Sequence, residues 1–100
     1  MKPELDKLKE ANKKWYNDKG DEFLIFIYET FPPKTNYTPL KKKDVIGKPM
    51  AKLKKLFTKA LVHYHPDKVD VERFGMKAKV LNEEITKYLS SFYEVTKNIS

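Results

Sequence analysis

Three side chains capable of acid–base or metal chemistry lie close together in this chain: His63, His65 and Asp67. Imidazole and carboxylate groups can bind a metal ion or transfer protons. Only these three candidate ligands occur here, and Pro66 restricts the backbone between two of them. The sequence also has no cysteine, no glycine-rich phosphate loop, and no nucleophile placed with a base and an orienting acid. We therefore expect no metal site, no cofactor and no catalysis by this chain itself.

The tripeptide His65-Pro66-Asp67 instead predicts a rigid, exposed bend. Pro66 cannot continue a helix, because its ring removes an amide donor and clashes with the carbonyl group one turn back. The residue before a proline is pushed out of helical geometry, which places His65 outside the helix. Asp67 supplies an acceptor for nearby backbone amides. We expect the His-Pro-Asp loop, residues 65–70, to present these side chains to a partner.

Apolar residues at helical spacing predict a long helix on each side of this loop. The first helix covers residues 48–64, with Pro49 in its first turn, and the second covers residues 71–97. Two such helices joined by a short loop should pack as an antiparallel pair. The predicted core positions are Met50, Leu53, Phe57, Ala60, Leu61 and Tyr64 on the first helix, and Phe74, Ala78, Leu81, Ile85, Leu89 and Phe92 on the second. His63 is expected to be an exposed residue at the helix end, favoured there by the helix dipole.

Residues 1–31 are expected to form two shorter helices that cover the pair, over residues 4–18 and 21–31. The run Phe23 to Tyr28 is apolar enough for a buried strand, but nothing else in the chain alternates with period two, so a helix is the better interpretation. Residues 32–47 are expected to form a loop because of their prolines and polar residues. The chain of 100 residues therefore predicts a single all-α domain over residues 1–100.

Two boundary features complete the N-terminal prediction. Gly20 is expected to cap the end of the first helix after Lys19, and Asp21 to cap the start of the second.

Trp15 and Tyr16 are expected to pack against the other helices, although an exposed partner-binding patch remains an alternative. The longest apolar run is far too short to span a bilayer, so membrane insertion is not expected.

Positive charge is concentrated in one part of the chain. Residues 41–59 contain eight lysines and one acid, Asp44, an excess as large as the net charge of +7 of the entire chain. Lys48, Lys52, Lys55 and Lys59 fall within about 60° of one another on the helical face opposite the apolar residues. Such a face suits an acidic partner.

Residues 57–68, with the sequence FTKALVHYHPDK, resemble the second helix and signature loop of J domains, the DnaJ-like co-chaperone family. Residues 80–84, VLNEE, are similar to a stretch of that family's third helix. The resemblance covers about residues 45–93, and the apolar helix ahead of a long proline-containing loop is most similar to the auxilin branch. It implies a module that binds a DnaK-type (seventy-kilodalton heat-shock) chaperone and stimulates its ATP hydrolysis. Carried over by position, the partner-binding residues are His65, Pro66, Asp67 and Lys68, with Lys48, Lys52, Lys55 and Lys59 as docking charges.

Two other functions stay open. A small basic nucleic-acid-binding domain would use residues 41–59, but that helix lacks the Arg, Asn or Gln expected for base readout. A J-shaped scaffold would bind another protein through its N-terminal helices. We expect a monomer in the cytoplasm or nucleus, since the lack of cysteine fits a reducing compartment.

Overall fold

The computed structural model describes residues 2–16, 20–34 and 37–99, and these residues contain α-helices and no strand. The all-α prediction is confirmed, and the apolar run Phe23 to Tyr28 is helical. No helix among the described residues combines the length and apolar character needed to cross a membrane. The elements are α1 Lys2–Trp15, α2 Asp21–Thr30, α3 Lys42–Val45, α4 Met50–His63, a 3-10 turn Pro66–Lys68, α5 Val71–Phe74 and α6 Met76–Ile99.

The main packing pair is α4 with α6. The ring of Phe57 stacks on that of Phe92 with centroids 6.0 Å apart. Tyr64 is the C-cap of α4, seven residues after Phe57. Its carbonyl accepts a 3.1 Å hydrogen bond from the hydroxyl of Thr86, which lies six residues before Phe92 in α6. Moving toward the C-terminus of α4 therefore corresponds to moving toward the N-terminus of α6, and the pair is antiparallel as predicted.

Helices α1 and α2 cover the open side of this pair. Phe23 in α2 is fully buried and stacks on Phe92 with centroids 4.6 Å apart. Trp15 in α1 lies 5.7 Å from Phe26 between ring centroids, so its predicted packing role is confirmed. Tyr16 is 59% exposed, so the prediction that it packs is wrong. The predicted end of this helix, at residue 18, lies outside the described residues.

Gly20 begins α2 rather than ending α1, contrary to the sequence-based expectation. Its φ of +87° is accessible to glycine at little cost. A Cβ atom here would lie 2.7 Å from Phe92 Cδ1 and 2.9 Å from Phe57 Cζ. Glycine therefore serves both the turn geometry and the close packing of α2 on the α4–α6 pair.

Asp21 is the first residue of α2 and links this helix to the segment after α3. It is buried, and its Oδ2 accepts a 2.8 Å hydrogen bond from the Gly47 amide while Oδ1 accepts one of 2.8 Å from the Glu22 amide. Asp21 was predicted to be the N-cap of α2, and this is wrong, because Gly20 occupies the N-cap position and Asp21 is the first helical residue. The segment 32–47, predicted to be all loop, contains α3, which this contact holds against α2.

The predicted continuous helix over residues 71–97 is interrupted at Gly75, where φ is +86°. The short helix α5 precedes the break, and the Asp70 carboxylate caps it by accepting from the Arg73 amide at 3.3 Å. Phe74 consequently leaves the apolar face of α6 and is 38% exposed, with the cationic groups of Lys34 and Arg73 over its ring. Its assignment to the core was wrong.

Candidate docking surface

The His-Pro-Asp loop leaves α4 through a sharp change of backbone direction. His65 is extended, with φ −55° and ψ 130°, and Pro66 opens the 3-10 turn that follows. The amide of Lys68 donates to the His65 carbonyl at 2.9 Å, and that of Val69 donates to the Pro66 carbonyl at 3.1 Å. Val69 is buried and anchors the end of the turn. The rigid bend predicted from the tripeptide is present.

A local hydrogen bond orients the His65 ring against the backbone of Asp67. The Asp67 amide donates to Nδ1 of His65 at 3.1 Å, so Nδ1 acts as an acceptor and the imidazole proton lies on Nε2. The Asp67 Oδ2 atom is 3.7 Å from the same Nδ1. Because Nδ1 already accepts the amide hydrogen, it does not donate to this carboxylate. Asp67 is 83% exposed and its carboxylate has no hydrogen bond within the described part of the chain.

Tyr64, directly before the His-Pro-Asp loop, forms hydrogen bonds that connect the start of the loop to α2 and α6. The Tyr64 hydroxyl donates to the Phe31 carbonyl at 2.6 Å, and the Ile27 carbonyl lies 3.3 Å away. The Tyr64 carbonyl accepts from Thr86 on α6. Burial, and then the neighbouring phenols of Tyr28 and Tyr37, raise the pKa of Tyr64, so its hydroxyl stays a donor. The bend therefore projects from a buried and hydrogen-bonded support.

Three of the predicted docking lysines, Lys52, Lys55 and Lys59, lie on α4 and are exposed. We call them the lysine row. They recur at intervals of three and four residues, which places them on one helical face. Lys48 differs from the prediction, because α4 begins at Met50 and Lys48 is a half-buried residue ahead of it. Lys68 is exposed in the 3-10 turn beside Asp67.

Val62 is a feature of this face that sequence reasoning missed. It is 54% exposed on α4, three residues after Lys59 and three before His65. The helical period therefore places an apolar side chain between the lysine row and the His-Pro-Asp loop. The sequence did contain a signal for Val62, because it is an apolar residue on the cationic side of an otherwise amphipathic helix. The combined surface can bind an acidic partner that also offers a basic group for Asp67 and an apolar contact for Val62.

His63 is not the exposed helix-end residue that was expected. It is half-buried, and the Tyr28 hydroxyl lies 2.6 Å from its Nδ1. Burial, and secondarily the Lys59 cation, lower the pKa of His63, which favours the neutral ring as acceptor. Burial also raises the pKa of Tyr28, which keeps its hydroxyl protonated as the donor. His63 thus ties the end of α4 to α2.

Comparison of the chain with protein-family models, curated proteins and solved structures gives no match. Within the described residues, no group of three or more His, Cys, Asp or Glu side chains is arranged to hold a metal ion. The functional interpretation therefore depends on the geometry of the docking surface and on the resemblance of its residues.

Proposed function

We propose that this chain is a J-domain-like co-chaperone module that binds a DnaK-type chaperone and stimulates its ATP hydrolysis. In this proposal the antiparallel helices α4 and α6 correspond to the second and third helices of a J domain. The His-Pro-Asp loop corresponds to that family's signature loop. The chain acts by docking, and the chaperone performs the hydrolysis.

The observation that carries the proposal is the state of Asp67. Its carboxylate is exposed and unbonded within the described residues, yet the backbone that bears it is fixed by the His65 ring and the 3-10 turn. A carboxylate whose backbone is fixed and which has no hydrogen bond among the described residues is suited to a basic group on another protein. Rigid placement in the free state reduces the entropy lost on binding.

The lysine row supplies the second part of the docking. Exposed cations steer an acidic partner and raise the association rate, and this increase in rate becomes smaller as the salt concentration rises. Val62 adds an apolar contact between these charges and Asp67, where exclusion of water strengthens neighbouring polar contacts. The lysine row thus favours encounter, whereas the His-Pro-Asp loop fixes the orientation of the bound complex.

Single-turnover ATP hydrolysis by a DnaK-type chaperone, measured with and without this chain, tests the proposal. The parent chain should accelerate hydrolysis, and His65→Gln should lose the acceleration, because the ring that positions Asp67 is gone. Since His65 is exposed, helix content and thermal unfolding of this variant should match the parent. A parent chain that leaves the hydrolysis rate unchanged would refute the proposed function.

A further inference from the structure

An open pocket lies beside the docking surface, between α4 and the segment 37–41. Its volume is about 710 Å³, within the range of about 300–1,000 Å³ found for ligand sites. A larger groove of about 890 Å³ between α1 and α2 has lysines and acids mixed along its rim, so its charge selects no particular ligand. The pocket beside α4 differs because its wall and its rim each have a distinct chemistry.

Three aromatic rings form the wall of this pocket. The ring centroids of Tyr28, Tyr37 and His63 are 5.7, 5.9 and 6.1 Å apart in pairs, with tilted or edge-to-face geometry. Leu40 and Leu56, both half-buried, extend the apolar surface. Aromatic rings at such separations prefer tilted or offset contacts with a further ring. The wall therefore suits a planar apolar side chain.

The rim of the pocket is predominantly basic. Lys41 and Lys59 line it and are exposed, and neither forms an ion pair with another described residue. Asp44 is the one acid among the lining residues, and Lys42 and Lys43 directly precede it on α3. The Tyr37 hydroxyl has no hydrogen bond within the described residues and can donate to an anion. The rim therefore favours a carboxylate ligand.

We propose that this pocket binds an acidic peptide segment, in which an aromatic side chain enters the ring-lined wall and an adjacent carboxylate pairs with Lys41 and Lys59. Lys59 also belongs to the lysine row, so the pocket is continuous with the docking surface. This binding activity is separate from chaperone stimulation and does not require it. It gives the chain a second recognition site, of distinct specificity, along the same helix.

The test uses three blocked tripeptides, Asp-Phe-Asp, Asn-Phe-Asn and Asp-Ala-Asp, titrated into the ¹⁵N-labelled chain. Asp-Phe-Asp should cause saturable shifts of the backbone amides of residues 37–41 (except Pro39) and 56–63. Replacing both aspartates, or the phenylalanine, should weaken binding at least threefold. Replacing the aspartates measures what the basic rim contributes to affinity, and replacing the phenylalanine measures what the aromatic wall contributes.

Two variants localise the site, and a third variant serves as the control. Tyr37→Ala should weaken binding of Asp-Phe-Asp by about three- to tenfold, the value of one aromatic contact. Lys41→Ala, at an exposed position, should weaken it without disturbing the fold. Tyr16→Ala removes an exposed tyrosine directly after α1 and should leave affinity unchanged.

Three results would overturn the pocket proposal: equal affinity for all three peptides, shifts confined to residues 52–55, or no binding at millimolar peptide. None of these results bears on ATP hydrolysis. Conversely, loss of the proposed chaperone function would leave the peptide shifts in place. The two failures are therefore distinguishable.

Discussion

The Tyr64 hydroxyl donates a 2.6 Å hydrogen bond to the carbonyl oxygen of Phe31, which follows the last residue of α2. This bond joins the end of α2 to the last residue before the His-Pro-Asp loop. Tyr64 is buried and Phe31 is half-buried, so the Tyr64 hydroxyl in particular cannot be fully hydrated if the bond is lost. The position of an exposed loop thus depends on a contact in the interior.

Tyr64→Phe should destabilise the fold. The variant keeps the ring but leaves the carbonyl of half-buried Phe31 without its donor, which costs about 1–3 kcal/mol. The free energy of unfolding in urea measures the loss. Tyr93→Phe is the matched control, because the hydroxyl of half-buried Tyr93 has no hydrogen bond within the described residues. Equal stabilities of the two variants would show that the Tyr64 contact is not stabilising.

Gly20→Ala should destabilise the fold more than Gly75→Ala. Both glycines have positive φ, but Gly20 is in the left-handed α region with ψ 2°, whereas Gly75 is extended with ψ 163°. An L-residue costs about 1–2 kcal/mol in the first region and about 1–3 kcal/mol in the second. Only at Gly20 would the new methyl group meet core atoms within 3 Å, those of Phe92 and Phe57, and such overpacking adds about 1–3 kcal/mol. Chemical denaturation of both variants measures the difference. A loss at Gly20 no larger than the loss at Gly75 would contradict this prediction.

Acidification should destabilise the chain through His63. Its pKa in the folded state is lowered, first by burial and then by Lys59, so the unfolded chain binds the proton more readily. The contribution of neutral His63 is complete above the unfolded-state pKa of about 6.5 and falls as pH drops below that value. Protonation also removes the acceptor for the Tyr28 hydroxyl.

Urea unfolding at pH 7.5 and pH 5.5 measures this effect, since most carboxylates remain ionised over that interval. The parent chain should lose stability between the two values, and His63→Gln should lose less. An identical pH dependence of the parent and the variant would contradict the assigned role of His63.

Lys55→Glu should weaken docking to the DnaK-type chaperone without changing the maximal rate of hydrolysis. Reversal of one charge in the lysine row opposes the approach of an acidic partner, and we expect the half-saturating concentration to rise about tenfold at low salt. The effect should shrink as ionic strength rises, because salt screens exposed charges. Lys9→Glu on α1 has the same change in net charge at another exposed position and should behave as the parent.

The periodic parts of the fold could be predicted from the sequence. Leu53, Phe57, Ile85 and Leu89 recur at helical spacing, and all four are fully buried. The conformation of the His-Pro-Asp loop was also predictable, because Pro66 restricts its own backbone and that of the preceding residue. In both cases the determining interactions are local in sequence or repeat along it.

The remaining features depend on contacts that are distant in sequence. His63 is half-buried because Tyr28, 35 positions earlier, lies against it. The Asp21 carboxylate binds the Gly47 amide across 26 positions. Gly75 interrupts a helix that the apolar period alone would continue, since that period does not record a backbone break. Exposure of Val62 likewise depends on where the lysine face lies relative to the other helices.

The most direct test of the central claim is the maximal single-turnover rate of ATP hydrolysis by a DnaK-type chaperone at saturating Asp67→Asn. The variant removes the charge of a carboxylate that has no hydrogen bond among the described residues, but almost none of its volume. Asp70→Asn is the matched control, because Asn caps a helix as well as Asp does. We predict that Asp67→Asn leaves the chaperone at its unstimulated rate, whereas Asp70→Asn stimulates like the parent. Full stimulation by Asp67→Asn would contradict the account.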